Sequence, residues 1–290
     1  MSARHTNKSD FDIYHPTFIN PFFLRHIGSK PFVMTIHDMT QELFADHFSK
    51  TDDVGKLKKI LALKARKIIA ISENTKRDIL RLYGNEIDES VIHVVHHGIR
   101  IDKKDANEPA IELPDSFLLF VGGRGGYKNF DRTLEAFARV RCIFPEIHLL
   151  CVGGGRFLKQ ELVRISELDQ QNHVKYLSVN GSELNFLYRR ALAMVYPSLN
   201  EGFGLTILEA FANRCPVILA DASCFPEIAG TAALYFDPRD IDSITSTLTD
   251  FLQNRGEYAP RFAAMGIEQL NLFTPQRMVD NTLAVYESAV

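Results

Sequence analysis

Short apolar runs alternate with longer amphipathic ones along the whole chain. The apolar runs are nearly continuous, as in parallel strands that are covered on both faces. They lie at Ile13–His15, Phe32–Ile36, Lys67–Ile71, Ile92–His96, Phe117–Val121, Ile147–Val152, Val174–Leu177, Ala193–Tyr196, Pro216–Leu219 and Ala233–Phe236. In the longer runs, apolar residues recur every three to four positions, which predicts helices. These runs include Val54–Arg66, Glu73–Tyr83, Phe130–Ile143, Arg156–Gln170, Ser182–Ala191, Ile241–Asn254 and Gln276–Ala289. Strand–helix alternation predicts an α/β fold with parallel sheets and right-handed crossovers.

One polar segment, Ile101–Pro114, interrupts this alternation. It is charged and contains two prolines, and a new apolar strand follows it at Phe117–Val121. We therefore predict two doubly wound, Rossmann-like domains, one over residues 1–105 and one over residues 115–275. The last helix, in residues 276–290, is predicted as a separate C-terminal element that packs back on the first domain.

The composition is that of a globular protein, with 290 residues, 46% hydrophobic and 24% charged residues. The net charge of −3 gives no strong attraction to nucleic acid or to a membrane, and we predict no nucleic-acid partner. Residues 1–105 are mildly basic, with 17 Lys and Arg against 14 Asp and Glu. An anionic ligand or peripheral contact with a membrane therefore remains open for this part.

The four cysteines show neither a C-x-x-C pair nor the spacing of metal ligands, which is typical of a reducing cytosol. The N-terminal residues Met1–Lys8 lack the apolar region of a signal peptide, and no apolar run has the length of a bilayer. The sequence thus predicts a cytoplasmic protein, with peripheral attachment at the inner face of the membrane as the alternative.

The most informative stretch is Glu201–Glu209, which reads Glu-Gly-Phe-Gly-Leu-Thr-Ile-Leu-Glu. Gly202 and Gly204 allow a tight turn and a close approach to a ligand. A helix is predicted from Leu205 onward, and its N-terminus would suit a phosphate. The two carboxylates could each accept hydrogen bonds from a pair of hydroxyls, such as those of a ribose or a hexose. The alternative is an ordinary surface helix with a glutamate in its second turn.

A second glycine-rich stretch, Val121–Asn129, follows a predicted strand and precedes a predicted helix. Gly122, Gly123, Gly125 and Gly126 expose backbone N–H groups, and Arg124 and Lys128 add two positive charges. Ligands of doubly wound sheets bind beyond the carboxyl ends of the strands, where this turn should lie. The alternative is a flexible turn with solvated cations. The turn at Gly153–Gly155 is interpreted as structural, with a position near the bound ligand as the alternative, and neither turn contains a G-x-G-x-x-G fingerprint.

Glu201 and Glu209, with seven residues between them, form an E-x7-E pattern. This pattern and its flanking residues resemble the E-x7-E motif of the retaining glycosyltransferases of family 4, which have the GT-B fold. The likeness extends through Ala193–Ser198, Ala210–Ala212, Cys215–Ile218 and Phe225–Gly230. The resemblance implies two Rossmann-like domains that face each other across a cleft. It also implies a nucleotide-diphosphate sugar as donor substrate, no cofactor, and a glycan or lipid-linked acceptor.

The resemblance assigns roles to individual residues. Glu201 would contact the donor sugar and Glu209 the ribose, while Arg124 and Lys128 would hold the diphosphate and stabilise charge on the leaving phosphate. His37, in Thr35–Met39 at a strand end, would touch the sugar from the first domain. The predicted catalytic set is Arg124, Lys128, Glu201 and His37; the predicted donor-binding set is Gly122, Gly123, Arg124, Lys128, Glu201, Gly202, Phe203, Gly204, Leu205 and Glu209.

No metal site is predicted. The D-x-D at Asp240–Asp242 opens a predicted helix and is explained by capping. The adjacent His96 and His97 lack a third ligand nearby. Since cationic side chains replace the metal in GT-B enzymes, the resemblance implies metal-independent transfer.

The resemblance begins at about Phe11, whereas family members start with further βαβ units, so a shortened first domain is expected. An uncovered sheet flank seeks a partner, which predicts a homo-oligomer or a partner subunit. Two rival functions stay open: a non-catalytic or partner-dependent sugar-nucleotide-binding subunit, and a GT-B sugar-nucleotide epimerase. Relatives with a similar first domain point to GDP-mannose and to polysaccharide biosynthesis.

Overall fold

The computed structural model describes residues 10–49, 53–100 and 105–290. The chain divides into two compact units. The first comprises the chain up to Gly98 together with Glu201–Phe203 and Phe273–Val290, and the second comprises Ile99–Asn200 and Gly204–Leu272. Residues 1–9, which bear on the signal-peptide prediction, and residues 101–104 of the predicted boundary segment lie outside the described residues.

The described part of the chain contains the following elements, labelled in chain order. The strands are β1 Val33–Ile36, β2 Lys67–Ala70, β3 Ile92–Val94, β4 Phe117–Val121, β5 His148–Val152, β6 Val174–Leu177, β7 Ala193–Tyr196, β8 Val217–Ala220 and β9 Leu234–Phe236. The α-helices are α1 Thr40–Leu43, α2 Val54–Ala62, α3 Glu73–Tyr83, α4 Phe130–Arg141, α5 Lys159–Glu167, α6 Gly181–Arg190, α7 Leu205–Ala212, α8 Phe225–Ala229, α9 Ile241–Gln253, α10 Arg255–Leu270 and α11 Pro275–Glu287. Short 3-10 helices lie at Pro21–Arg25, Ala45–His47, Glu89–Val91 and Gly126–Lys128.

The first unit is built on a parallel sheet in the order β1-β2-β3. The strand predicted at Ile13–His15 is wrong: only Tyr14 forms a bridge, to Phe32. Tyr14 donates its N–H to the Pro31 carbonyl (3.1 Å) and accepts from the Val33 N–H (2.9 Å). The pairing stops there because Pro16, the next residue in register, has no N–H to donate to the ladder.

Alternation along these strands divides the core of the first unit between the two faces of the sheet. Met34 and Ile68 pack on one face in a large cluster with Phe23, Leu61 and Ile79. On the other face, Val33, Ile69 and Val95 are covered by Val285 of α11 and by Ala289 just beyond it. The C-terminal helix therefore completes the core of the first unit.

The second unit contains a six-stranded parallel sheet in the order β6-β5-β4-β7-β8-β9. Its central strands are almost fully buried, with Phe117, Leu118, Ala193 and Met194 at 0% exposure. From β4 the chain winds outward on one side, and from β7 on the other. The carboxyl ends of β4 and β7 therefore mark the switch point at which doubly wound sheets bind ligands. The predicted α/β fold with two Rossmann-like parallel sheets is confirmed.

No helix in the described residues is long and apolar enough to cross a membrane.

Candidate active site

The turn after β4 is held in one conformation by Asn129. Asn129 is buried and takes up a left-handed conformation (φ 60°) immediately before α4. Its Nδ2 donates to the carbonyls of Pro197 (3.2 Å) and Pro238 (2.7 Å), and the Leu199 N–H donates to the Tyr127 carbonyl (2.8 Å). The glycine-rich turn is thus tied to the loop that follows β7. The carboxyl ends of β4 and β7, predicted to carry the ligand site, are therefore connected directly.

Arg124 lies inside this turn, with its side chain only 2% exposed. Its guanidinium donates to the carbonyls of Gly153 (2.8 Å), Gly155 (2.7 Å) and Arg156 (3.1 Å) and pairs with Glu161 through Nε and Oε1 (3.0 Å). The rings of Phe130, Phe157 and Tyr176 surround its Cζ at 5.9, 4.9 and 5.7 Å to their centroids. Protein groups thus enclose the guanidinium, and direct contact with a diphosphate stays a prediction.

Lys128 carries the other predicted charge of the turn. It closes the 3-10 helix Gly126–Lys128, and its Nζ lies 4.9 Å from the centroid of the Tyr127 ring. Its side chain is less enclosed than that of Arg124, because the residue is only half-buried. Of the two predicted cations, Lys128 is therefore the one with access to solvent.

The turn after β5 packs directly on the turn after β4. Gly153, Gly154 and Gly155 all have positive φ angles, of 86°, 67° and 76°. A Cβ on Gly154 would lie 2.9 Å from Gly123 Cα and 3.0 Å from the Gly122 carbonyl oxygen. Only glycine fits this approach and these angles, which explains why two glycine-rich turns face each other.

Glu201–Phe203 belongs to the first unit, and the structure brings it together with His37. A Cβ on Gly202 would stand 1.9 Å from the His37 carbonyl oxygen, so a glycine is obligatory here. The Gly202 carbonyl accepts hydrogen bonds from Ser72 Oγ (2.7 Å) and Thr75 Oγ1 (3.3 Å). Ser72 also caps α3 by accepting the Thr75 N–H (3.0 Å). The sequence predicts only the capping role of Ser72, and its contact with the Gly202 carbonyl was not predicted.

Phe203 anchors the same segment by its aromatic ring. It is 3% exposed and packs edge-on against His97 (5.2 Å between centroids) and Phe273 (5.6 Å). His97 in turn stacks on His37 at 5.7 Å. Phe203 therefore fixes the segment Glu201–Phe203 against His97.

The remaining motif residues lie in the second unit, at the start of α7. Gly204 has φ 83° and is the N-cap of the helix, and Leu205 at N1 is 46% exposed. Glu209 Oε2 accepts a hydrogen bond from the Tyr188 hydroxyl of α6 (3.3 Å). Burial and the neighbouring Glu209 charge raise the pKa of Tyr188 well above its usual value, so this hydroxyl remains a donor. Nothing in the spacing of α6 distinguishes Tyr188 from an ordinary core residue, so the sequence did not reveal it.

A cavity of about 490 Å³ opens within the first unit. Its polar lining includes His15, Thr35, His37, His97 and Tyr286, together with apolar groups such as Phe18. His15 bridges Tyr286 Oη (2.6 Å) and Thr35 Oγ1 (2.9 Å) through its two ring nitrogens. Burial lowers the pKa of His15 and of His97, and the neighbouring His37 lowers both further. Among the described residues that line the cavity there is no Asp, Glu, Lys or Arg, and the lowered pKa values of His15 and His97 favour their neutral imidazoles.

Lys58 supports the loop that carries His37. It is 3% exposed, and its Nζ donates to the Asp38 carbonyl and to Glu42 Oε2, both at 2.9 Å. The Tyr83 hydroxyl donates to the other Glu42 oxygen (3.1 Å). The residue after His37 is therefore held by a buried ammonium group that makes two hydrogen bonds. In the sequence, Lys58 is one of several lysines in an amphipathic helix, and nothing marks it as buried.

The described residues include no cluster of three or more His, Cys, Asp or Glu in an arrangement that could hold a metal ion. Asp240 caps α9 by accepting the Asp242 N–H (2.9 Å), as the sequence predicted for this D-x-D.

Comparisons with known proteins identify the family of the chain. Residues 102–269 match the family described as glycosyl transferases group 1, and residues 2–103 match glycosyltransferase family 4. The chain is 27% identical to the O-antigen chain mannosyltransferase RfbU of Salmonella typhimurium, covering 82% of this chain and 67% of that protein. It is 26% identical to the O-antigen chain mannosyltransferase B of Escherichia coli, covering 95% and 74%. Its fold is similar to that of Anabaena HepE, solved in complex with UDP and glucose, with a TM-score of 0.76, 18% identity and coverage of 99% and 80%.

Proposed function

The chain belongs to glycosyltransferase family 4, and on that premise we propose that it transfers a mannosyl group from GDP-mannose to a glycan or lipid-linked acceptor with retention of configuration. The observation that carries the proposal is the placement of Glu209. This carboxylate lies in a helix whose N-terminus follows the positive-φ Gly204, and one of its oxygens is held by the buried Tyr188. A carboxylate fixed in this way can accept hydrogen bonds from two ribose hydroxyls. The choice of mannose is supported by the two O-antigen mannosyltransferases.

In this proposal, the amide N–H groups at the start of α7 and the Lys128 ammonium bind the diphosphate. They also stabilise charge that grows on the leaving phosphate, and one preorganised donor of this kind lowers the barrier by about 3 kcal/mol. Because the Arg124 side chain is only 2% exposed, direct contact with the diphosphate would require the groups that enclose it to move. Glu201 and His37 would contact the sugar. No cofactor and no metal ion enter the proposal.

The acceptor would occupy the cavity of the first unit. Its imidazole and hydroxyl groups can hydrogen-bond sugar hydroxyls, and its apolar wall suits the less polar face of a pyranose. Because the described residues of the lining include no carboxylate, ammonium or guanidinium group, a neutral sugar fits the cavity better than a phosphorylated one.

The test is turnover of GDP-mannose with a mannose-containing glycan as acceptor. Glu209→Ala and Lys128→Ala should each lower kcat/KM at least 100-fold, whereas Glu257→Ala, at an exposed position on α10, should leave it unchanged. Wild-type kinetics in both site variants would end the assignment. The rivals give different outcomes: an epimerase alters the donor without acceptor, as NMR would show, and a binding subunit binds GDP-mannose without transfer.

Self-association and contact with a membrane surface stay predictions. A monomer in light scattering at micromolar concentration contradicts the first. Failure to sediment with anionic phospholipid vesicles contradicts the second.

A further inference from the structure

The side chain of Arg124 is far more buried than a side chain that binds a diphosphate in an open turn would be. Its guanidinium has five N–H groups, and four of its hydrogen bonds go to three backbone carbonyls and Glu161 at 3.1 Å or less. Both members of the ion pair are buried, with side chains 2% and 10% exposed. Glu161 is itself fixed by the Leu158 N–H, which donates to Oε2 (2.6 Å).

The captured carbonyls determine where the neighbouring amides point. The described peptide bonds are all trans, so each carbonyl and the following N–H point in opposite directions. With the carbonyls of Gly153, Gly155 and Arg156 turned toward Arg124, the N–H groups of Gly154, Arg156 and Phe157 are turned away from it. Of these three N–H groups, that of Gly154 lies at a positive-φ glycine, and N–H groups that point outward from one turn can form a concavity that binds anions.

We propose that Arg124 and Glu161 form a buried clamp that sets the shape of both glycine-rich turns and thereby controls affinity for the diphosphate of the donor without touching it. The proposal rests on the proposed use of a nucleotide sugar. It makes Arg124 a positioning residue, acting through the amides of the turn after β5 and through the turn that ends at Lys128. It also explains the choice of arginine: a lysine at this position could not reach three carbonyls and a carboxylate in one plane.

The experiment compares binding of GDP, GMP and guanosine by calorimetry in Arg124→Lys, Glu161→Gln and the doubly apolar Arg124→Met/Glu161→Leu. If the clamp acts by positioning, all three variants should weaken GDP binding at least tenfold and similarly, with a smaller effect on GMP and none on guanosine. The double variant removes both charges together, so neither is left buried and unpaired, and circular dichroism and urea unfolding check that it is folded. Glu135→Gln is the matched control, since Glu135 pairs with Arg164 (2.9 Å) between the same two helices, α4 and α5, without contacting either turn.

A Glu161→Gln variant with wild-type affinity for GDP, beside an Arg124→Lys variant that loses it, would overturn the proposal in favour of direct contact. Hydrogen exchange of the segments 122–129 and 153–158 gives a second, ligand-free measurement. Faster exchange in both segments in every clamp variant, and not in the control, supports the clamp; unchanged exchange overturns it. If the wild-type protein binds neither GDP nor UDP, the proposed function fails, and the exchange measurement alone decides the clamp.

Discussion

Replacing Gly202 by alanine tests how closely Glu201 depends on the packing of its neighbour. A Cβ at this position would meet the His37 carbonyl oxygen at 1.9 Å, whereas real Cβ contacts are essentially never shorter than 3.0 Å. The two groups must therefore separate by roughly 1.1 Å, the difference between these distances. The carbonyl lies at the end of β1 and cannot yield easily, so the segment Glu201–Phe203 moves instead.

That movement should lower both the stability of the protein and the rate of the reaction. The hydrogen bonds from Ser72 and Thr75 to the Gly202 carbonyl would lengthen beyond the useful range, and each contributes about 1 kcal/mol to the free energy of unfolding. A displacement of about 1 Å at a residue that contacts substrate can lower the rate by about 100-fold. We therefore expect Gly202→Ala to lose about 2 kcal/mol of stability and about 100-fold in kcat/KM.

Urea unfolding and steady-state turnover of GDP-mannose measure the two effects. Gly181→Ala is the control, because a Cβ there would meet nothing within 4 Å and the residue begins a helix. If Gly202→Ala unfolds and turns over like the control, the close packing on His37 is not what places Glu201, and the reasoning is refuted.

Three further outcomes follow from the described contacts. Tyr188→Phe removes the hydrogen bond to Glu209 (3.3 Å) and should weaken GDP binding several-fold while lowering stability by about 1 kcal/mol, as seen by calorimetry and urea unfolding. Lys58→Met leaves the Glu42 carboxylate without its buried cation and should lower the free energy of unfolding by about 3 kcal/mol. The pKa of His15 is lowered from 6.5, so the unfolded state binds more protons just below pH 6.5, and stability should fall as the pH drops from 6.5 toward the folded-state pKa. His15→Gln should flatten this pH dependence in urea titrations.

Each of these three predictions has a control that tests whether the stated interaction is the cause of the effect. Tyr235→Phe removes a buried hydroxyl bonded to the Gly230 carbonyl (2.6 Å) and should leave GDP binding intact. Lys56→Met breaks only an exposed pair with Asp53 and should change stability by less than about 1 kcal/mol. If His15→Gln retains the full loss of stability on acidification, other groups cause it.

The sheet strands were predictable because most of them are short apolar runs with helices between them, a pattern that burial on both faces imposes. Helix α10, Arg255–Leu270, was not predicted. It contains Gly256 and Pro260, which sequence reasoning treats as helix breakers, yet its glycine at 266 is needed where a Cβ would meet the Phe211 ring at 2.4 Å. Tertiary packing against α7 therefore overrides the local preference.

The chemistry of the site was visible only in part. The glycines at 202 and 204 and the spacing of Glu201 and Glu209 lie within nine consecutive residues, so they can be recognised from the sequence alone. The partners Tyr188 and Glu161 lie 21 and 37 residues from the groups they hold, so no spacing rule could connect them. For the same reason, the burial of Arg124 could not be anticipated: an arginine among glycines has the same sequence appearance whether its side chain is solvated or enclosed.

The position of α11 has a consequence for how the protein is made. Val33, Ile69 and Val95 emerge early from the ribosome, but the residues that cover them, Val285 and Ala289, are synthesised almost 200 residues later. At typical elongation rates of about 5–20 residues per second, that apolar face waits on the order of ten seconds or more for its cover. Nascent chains are thus exposed to aggregation during this interval, and a chaperone that binds apolar strands would act on them before release.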